Sequence, residues 1–299
     1  MIAITNLGKR FGAFVALDGI TTAIGRGAFT LVLGANGAGK TTLLRCVLGL
    51  AAFDGTVTVG GYDVSADGSA ARSLVGYVPQ RPALPPDLSC LDVLDLFARL
   101  RGRRSGDPAW LERVGLAAEA SAPVRALSGG MRQRLALAVA LQADPPVLVF
   151  DEPAAHLDGA SRRALHRDLA ELARGGRTVV LATHLAAEPL QVATQALVLH
   201  RGRLIYDGPA DRLGEAVQQR VVFAMNGVGR EPLRTALASM PDVHVSETPD
   251  AIIATTPAGG AFALLAAVAA AGVRPFEVHV EEPMVDPARL VRANGETRR

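Results

Sequence analysis

The sequence predicts an α/β phosphate-binding core followed by a small α+β domain, on three observations. The first is a Gly-rich turn, Gly34-Ala35-Asn36-Gly37-Ala38-Gly39-Lys40-Thr41. It lies between an apolar run, Phe29 to Leu33, and a helix-spaced set, Leu43, Leu44, Val47 and Leu48, which is the strand–loop–helix setting of a phosphate-binding loop. The second is the alternation of short apolar runs with a helical stretch between Val147 and Ala182, the mark of a parallel α/β core. The third is a change of composition after Gly208-Pro209.

Each element follows from its local pattern. Residues 1–30 alternate apolar and polar around Gly8, Gly12, Gly19, Gly25 and Gly27, which predicts short antiparallel strands. Gly55 to Asp63 reads as another, with Val57 and Val59 on one face. From Leu88 to about Gln142 the spacing becomes helical, interrupted by Arg101-Gly102-Arg103-Arg104, read as a solvated loop, and by Pro123. Buried strands are expected at Val147 to Phe150 and Thr178 to Ala182, with a helix from Ser161 to Ala173 between them.

Beyond Gly208-Pro209, strands at Val221 to Met225, Val243 to Ser246, Ala251 to Thr255 and Phe276 to Val280 enclose helices at Glu231 to Met240 and Ala261 to Ala271. That order is βαββαβ, the ferredoxin-like unit. The domains are therefore set at 1–212 and 213–299, with a polar, frayed tail from Arg289.

Composition narrows the class. Of 299 residues, 49% are hydrophobic and 20% charged, and the net charge of +2 gives no reason to expect a nucleic-acid partner. Cys46 and Cys90 sit in apolar surroundings and read as buried free thiols of a reducing cytoplasm. No metal-ligand spacing is present. The N-terminus lacks the basic-then-apolar pattern of a signal peptide. The longest apolar run, Ala261 to Val273, falls short of the ~20 residues that span a bilayer, so any membrane crossing is expected in another chain.

The chemistry lies in the loop and in one acidic pair. The glycines let successive N–H groups surround phosphates at a helix N-terminus. Lys40 would carry charge to the β- and γ-phosphates, and the Thr41 hydroxyl would ligate Mg²⁺. Val147 to Phe150 runs into Asp151-Glu152. Adjacent strand residues point to opposite sides, so Asp151 would hold the Mg²⁺ shell and Glu152 would polarise water.

Leu127-Ser128-Gly129-Gly130-Met131, followed by Arg132-Gln133-Arg134, resembles the signature of ATP-binding-cassette (ABC) ATPases. Gln80, closing Val75 to Gln80, resembles the family's Q-loop, and His184 its switch histidine. Ala155-His156-Leu157-Asp158 matches its D-loop, with His156 where many members have a small residue. The motifs fall in order over residues 2–212. The resemblance implies a P-loop NTPase core with an antiparallel β subdomain and a helical signature subdomain.

It also implies roles. Lys40, Gln80, Glu152 and His184 would act in hydrolysis, and Thr41, Gln80 and Asp151 at Mg²⁺. Gly34, Asn36, Gly37, Gly39, Lys40, Thr41 and Thr42 would hold the phosphates, with Phe11 stacking on adenine. Ser128, Gly129 and Gly130 would contact ATP held by a second cassette, giving a head-to-tail dimer. In the family the segment after Gln80, Arg81 to Leu88, lies at the groove that receives a helix of the membrane subunit. Glu281-Glu282-Pro283-Met284-Val285-Asp286 is similar to the Glu-Pro-x-x-Asp tail of cassettes serving ABC-2-type exporters. The expected function is ATP hydrolysis at the cytoplasmic face of the membrane, driving export through separately encoded permease subunits, with a homodimer of cassettes. A soluble non-transport ABC ATPase and a regulatory nucleotide-binding module remain as alternatives. One cassette without sustained heptads fits the first of these poorly.

Overall fold

The turn glycine Gly12, at φ 57°, closes a hairpin of β1 (Ile2–Phe11) and β2 (Phe14–Ile24). These strands are longer than the glycine spacing suggested, because shifts in their register absorb the interruptions. In the computed structural model residues 1–290 are described except 155, 156, 158, 186, 187, 226–228, 282, 287 and 288. The expected tail beyond Leu290 and most of Ala155 to Asp158 lie outside the described residues.

The chain divides into two compact units, Met1–His184 with Val192–Asp207, and Leu185–Gln191 with Gly208–Arg299. The first unit continues with β3 (Phe29–Leu33), α1 (Lys40–Val47), β4 (Asp54–Val59), β5 (Tyr62–Asp63), α2 (Gly68–Ser73) and β6 (Val75–Val78). Then come α3 (Cys90–Leu100), α4 (Ala109–Arg113), α5 (Gly129–Leu141), β7 (Val147–Asp151), α6 (Gly159–Arg174), β8 (Thr178–Thr183), β9 (Gln195–His200) and β10 (Arg203–Pro209). The stretch Gly55 to Asp63 is a hairpin, since Gly60 and Gly61 turn at φ 62° and 91°.

One sheet runs β2-β1-β4-β5 and the other β10-β9-β3-β8-β7-β6. In the second sheet β9, β3, β8, β7 and β6 run parallel to one another. Every residue of β3, β7 and β8 is buried, as helices or another sheet on both faces require. Ile2, Ile4, Leu17, Ile20, Leu43, Leu44, Val149 and Leu197 belong to one core that joins both sheets to α1. A separate apolar cluster, including Cys90, Val93, Leu111, Leu127 and Leu135, unites α3, α4 and α5. Ser89 caps α3 with a reciprocal box to Asp92.

The loop at 101–104 is exposed, as expected, yet two of its arginines are anchored. Arg101 Nη2 donates to the Val75 carbonyl at 2.8 Å and Arg103 Nη1 to that of Gln142 at 2.5 Å. Both cysteines are buried and free, and burial pushes the Cys46 thiol up to about 11.

The second unit holds β11 (Val217–Ala224), α7 (Arg230–Ala238), β12 (His244–Glu247), β13 (Ala251–Pro257), α8 (Ala261–Ala270), β14 (Glu277–Val280) and β15 (Met284–Val285). The order βαββαβ folds into the sheet β12-β13-β11-β14, with β15 also on β11. Val221, Phe223, Ile252 and Ala254 meet Leu233, Leu237, Leu264 and Val268 in its core. A 3-10 turn at Pro189–Gln191 packs against another at Ala210–Ala216 within this unit.

Candidate nucleotide-binding site

Parallel pairing delivers the chemistry to one edge. β3, β6, β7 and β8 all end on the same side, where α/β sheets bind ligands. The chain then supplies the Gly-rich loop after β3, Gln80 after β6, Asp151 and Glu152 at the end of β7, and His184 after β8.

The loop needs its glycines for different reasons. A Cβ on Gly34, at φ 153°, would stand 2.5 Å from the Leu199 carbonyl oxygen. On Gly39, at φ 108°, it would stand 2.9 Å from the Ala16 carbonyl. β9 and β2 therefore close against this turn, and a side chain would push them away. Open space surrounds Gly37, on the side where a ligand approaches.

Lys40 is buried at the first residue of α1, and its Nζ donates to the Gly34 carbonyl at 2.8 Å and that of Ala35 at 3.3 Å. The same Nζ is 3.3 Å from Glu152 Oε1, and His184 Nδ1 is 2.9 Å from Glu152 Oε2. Glu152 takes φ 47° while its N–H donates to the Ala182 carbonyl at 2.9 Å. A non-glycine residue in that region is strained, and here the strain turns the carboxylate back toward the loop.

The neighbouring carboxylate faces α1. Asp151 Oδ1 accepts from Thr41 Oγ1 at 3.1 Å. Burial holds the Asp151 carboxyl above its ordinary 3.8, with the Thr41 hydrogen bond opposing and the Glu152 charge adding to the rise. A buried carboxylate that resists ionisation gains most from a nearby cation.

The residues fit Mg²⁺ and phosphates. Glu152 Oε1 is buried without a hydrogen bond among the described residues, despite the nearby ammonium. Lys40 meanwhile spends two of its three donors on loop carbonyls, so both groups have capacity left for a ligand. A hydroxyl and a carboxylate oxygen at Thr41 and Asp151 are the hard donors that Mg²⁺ takes together with phosphate oxygens and water.

A cavity of about 410 Å³ brings together Asn36, Gly37, Gly39, Lys40, Thr41, Thr42, Gln80 and Glu152 with Phe14 and Ala16. His184 joins through Glu152. The last two wall residues were missed in the sequence. Phe14, 64% exposed, lines the cavity, whereas Phe11, 54% exposed, is its cross-strand partner and packs beneath the Lys9 ammonium, 4.8 Å from the ring centroid. The signal for Phe14 was its place two residues past the turn glycine on the strand whose Ala16 meets Gly39.

Ser128, Gly129 and Gly130 do not line this cavity. Ser128 caps α5, accepting from the Met131 N–H at 3.2 Å. Ser128 and Gly129 are exposed, with open space where either glycine's Cβ would go. The helix start thus offers bare N–H groups to something outside its own unit. Arg132 and Arg134 serve carbonyls: Arg132 Nη1 reaches Leu127 at 2.6 Å, and Arg134 Nη1 reaches Gly115 at 2.8 Å.

The segment after Gln80 is anchored. The Val124 and Arg125 amides donate to the carbonyls of Leu88 and Pro86 at 2.9 Å each, and Arg125 pairs with Asp87. Leu84 and Leu88 pack half-buried on the helical cluster. Arg81, Ala83 and Pro86 face outward.

Comparison with known proteins agrees with this geometry. A family model described as ABC transporter matches residues 17–155. Nod factor export ATP-binding protein I of Ralstonia nicotianae is 37% identical over 246 residues, covering 80% of this chain and 77% of that protein. Daunorubicin resistance ATP-binding protein DrrA3 of Streptomyces coeruleorubidus is 35% identical over 309 aligned residues, covering 100% and 97%. Sulfate/thiosulfate import ATP-binding protein CysA of Mycobacterium bovis is 36% identical, covering 94% and 82%. Among solved structures, the dimeric post-hydrolysis state of the ATP-binding cassette MJ0796, bound to ADP and Pi, superposes with a TM-score of 0.65 at 25% identity. It covers 70% of this chain and 99% of that one.

Proposed function

Because this chain belongs to the ATP-binding family of ABC transporters, we propose that it is the ATP-hydrolysing subunit of an exporter. The export relatives, one of them matched over the whole length, favour that direction; the import relative shares the chemistry. No helix among the described residues is long and apolar enough to cross a membrane. Separately encoded permease subunits and a place at the cytoplasmic face of the membrane follow as parts of this proposal.

The Lys40–Glu152–His184 chain of contacts carries the reading. Lys40 and the loop amides bind and orient the β- and γ-phosphates of ATP. Thr41 and Asp151 would hold Mg²⁺, which would supply charge neutralisation to the phosphates. With ATP bound, the Lys40 ammonium transfers its attention from loop carbonyls to phosphate, leaving Glu152 to accept a proton from water at Oε1. His184 fixes the other oxygen of that carboxylate and stands ready to donate toward the γ-phosphate. Gln80 reaches the same cavity from the start of the helical subdomain, so it senses the ligand. Ser128 and the α5 amides complete the site of a second copy.

Glu152→Gln tests this directly. It keeps shape and removes the base, so turnover falls on the order of 100-fold or more while ATP binding persists. The variant accumulates an ATP-dependent dimer on gel filtration. Turnover near that of the unaltered chain would refute the role. Docking of the permease is read at the outward residues Arg81 and Ala83, since Leu84 and Leu88 hold the subdomain together. Arg81→Glu with Ala83→Glu should lose co-purification of the membrane subunit and keep basal hydrolysis.

A further inference from the structure

The second unit presents an apolar surface unmatched within its own fold. α8 reads AFALLAAVAA, without one polar side chain, and buries only Leu264 and Val268. Phe262 (83% exposed), Leu265, Ala266 and Ala269 have the i, i+3, i+4, i+7 spacing of a stripe on the outward side. A helix lying on a sheet ordinarily turns polar residues to water.

β14 adds an open edge. It pairs with β11 on one side, and among the described residues no strand lies on the other. The Glu281 amide donates to the Arg220 carbonyl at 2.8 Å, extending the register in which Val221 faces Val280. Ladder bonds alternate along an antiparallel pair, so the amides and carbonyls of Val278 and Val280 point to the open side. Both valines are exposed, as is Phe276 at 77%. Strand edges are ordinarily guarded by Lys, Pro or a bulge; Glu277 to Val280 carries none of these, while the Phe276 amide turns back to the Ala224 carbonyl at 2.9 Å.

We propose that β14 pairs antiparallel with β14 of a second copy of this chain, about a two-fold axis through Val278, joining two accessory sheets into one. The inference rests on the homodimer reading above. The strand is self-complementary in that register. Val278 meets Val278 of the partner subunit, Glu277 falls opposite His279 of the partner subunit, and Phe276 comes opposite Val280 of the partner subunit. Carboxylate and imidazole share one face. The apolar residues share the other, on the side of Val221, Phe223 and α8. An axis at His279 is worse, because it sets Glu277 against Glu281. A two-fold contact uses the same patch twice, so every subunit already carries both halves.

The test uses the full chain without nucleotide. Val278→Cys should form a disulfide-linked dimer under mild oxidation, because residues facing each other across a hydrogen-bonded pair stand about 5.5 Å apart. Ser246→Cys, exposed on the opposite edge strand β12, should remain unlinked. Independently, Val278→Lys should weaken nucleotide-free self-association at least tenfold by sedimentation equilibrium. Unlinked Val278→Cys chains, equal linking at Ser246→Cys, linking only to a membrane subunit, or unchanged association of Val278→Lys would each overturn the proposal. Dimerisation of Glu152→Gln by ATP is measured in the same preparations. Its success beside a failed Val278→Cys link sinks the sheet pairing alone, and the reverse sinks the cassette reading alone.

Discussion

Asp151 is a carboxylate whose ionisation the fold opposes, and its stability consequence has a definite sign. Its folded value is raised above 3.8, so the folded state binds the proton more tightly than the unfolded chain does. The stabilising part is present below 3.8 and is lost as pH rises through the raised value. Asp151→Asn should therefore raise the melting temperature of the nucleotide-free protein at neutral pH, while removing Mg²⁺-dependent turnover. A lower melting temperature would mean that the Thr41 hydrogen bond outweighs desolvation. Two rings, Phe14 and Phe11, compete for the proposed role of adenine platform. Phe14→Ala should weaken ATP binding roughly tenfold, within the ~1–3 kcal/mol of a base–aromatic stack, with kcat at saturation kept. Calorimetry on Phe14→Ala and Phe11→Ala decides which ring the base uses. The loop, the acidic pair, Gln80 and His184 were legible in the sequence because each sits where an apolar strand stops. Phe14 was not, since one aromatic beside a turn carries no periodic signal.

At the scale of elements, α5 performs two tasks with one residue. Ser128 caps the helix and, in the proposed dimer, would present it to a partner's phosphates. Ser128→Asp separates them, because Asp caps as well as Ser but sets a carboxylate against phosphate. Thermal stability should stay within about 0.5 kcal/mol, whereas ATP-driven dimerisation should be lost; a dimer that still forms would place the signature away from the phosphates. Leu88→Asp should instead cost roughly 2–3 kcal/mol, since Leu88 packs on the helical cluster. The βαββαβ order was legible because its strands alternate cleanly, as β13 shows by burying every second residue. β9 and β10 escaped notice. The run Ala196 to Leu199 is buried throughout, and so short an apolar run has no period to distinguish strand from helix. The loop at 101–104 is exposed as read, but the anchoring of Arg101 and Arg103 was hidden because their carbonyl partners, Val75 and Gln142, are remote in sequence.

For the whole molecule, the division into units matters more than the Gly208-Pro209 boundary that composition reveals. Residues Leu185–Gln191 follow His184 directly yet belong with the C-terminal unit, an excursion that no local pattern announced. A chain ending at Asp207 keeps every residue of the cassette's main core and should still bind ATP, as a thermal shift on adding nucleotide would register. It leaves Pro189–Gln191 without its packing, so its hydrolysis rate should differ from that of the full chain. An aggregated product would show that the units share one folding transition. Ser128 and Gly129, absent from the wall of their own cavity, have a further consequence, which concerns heredity. In the proposed head-to-tail dimer, a signature lesion would spare the nucleotide site of the chain that carries it and disable the site of whichever chain it joins. In a cell making intact and Ser128-defective copies equally, random pairing leaves about a quarter of assemblies whole. Such an allele would act as partly dominant.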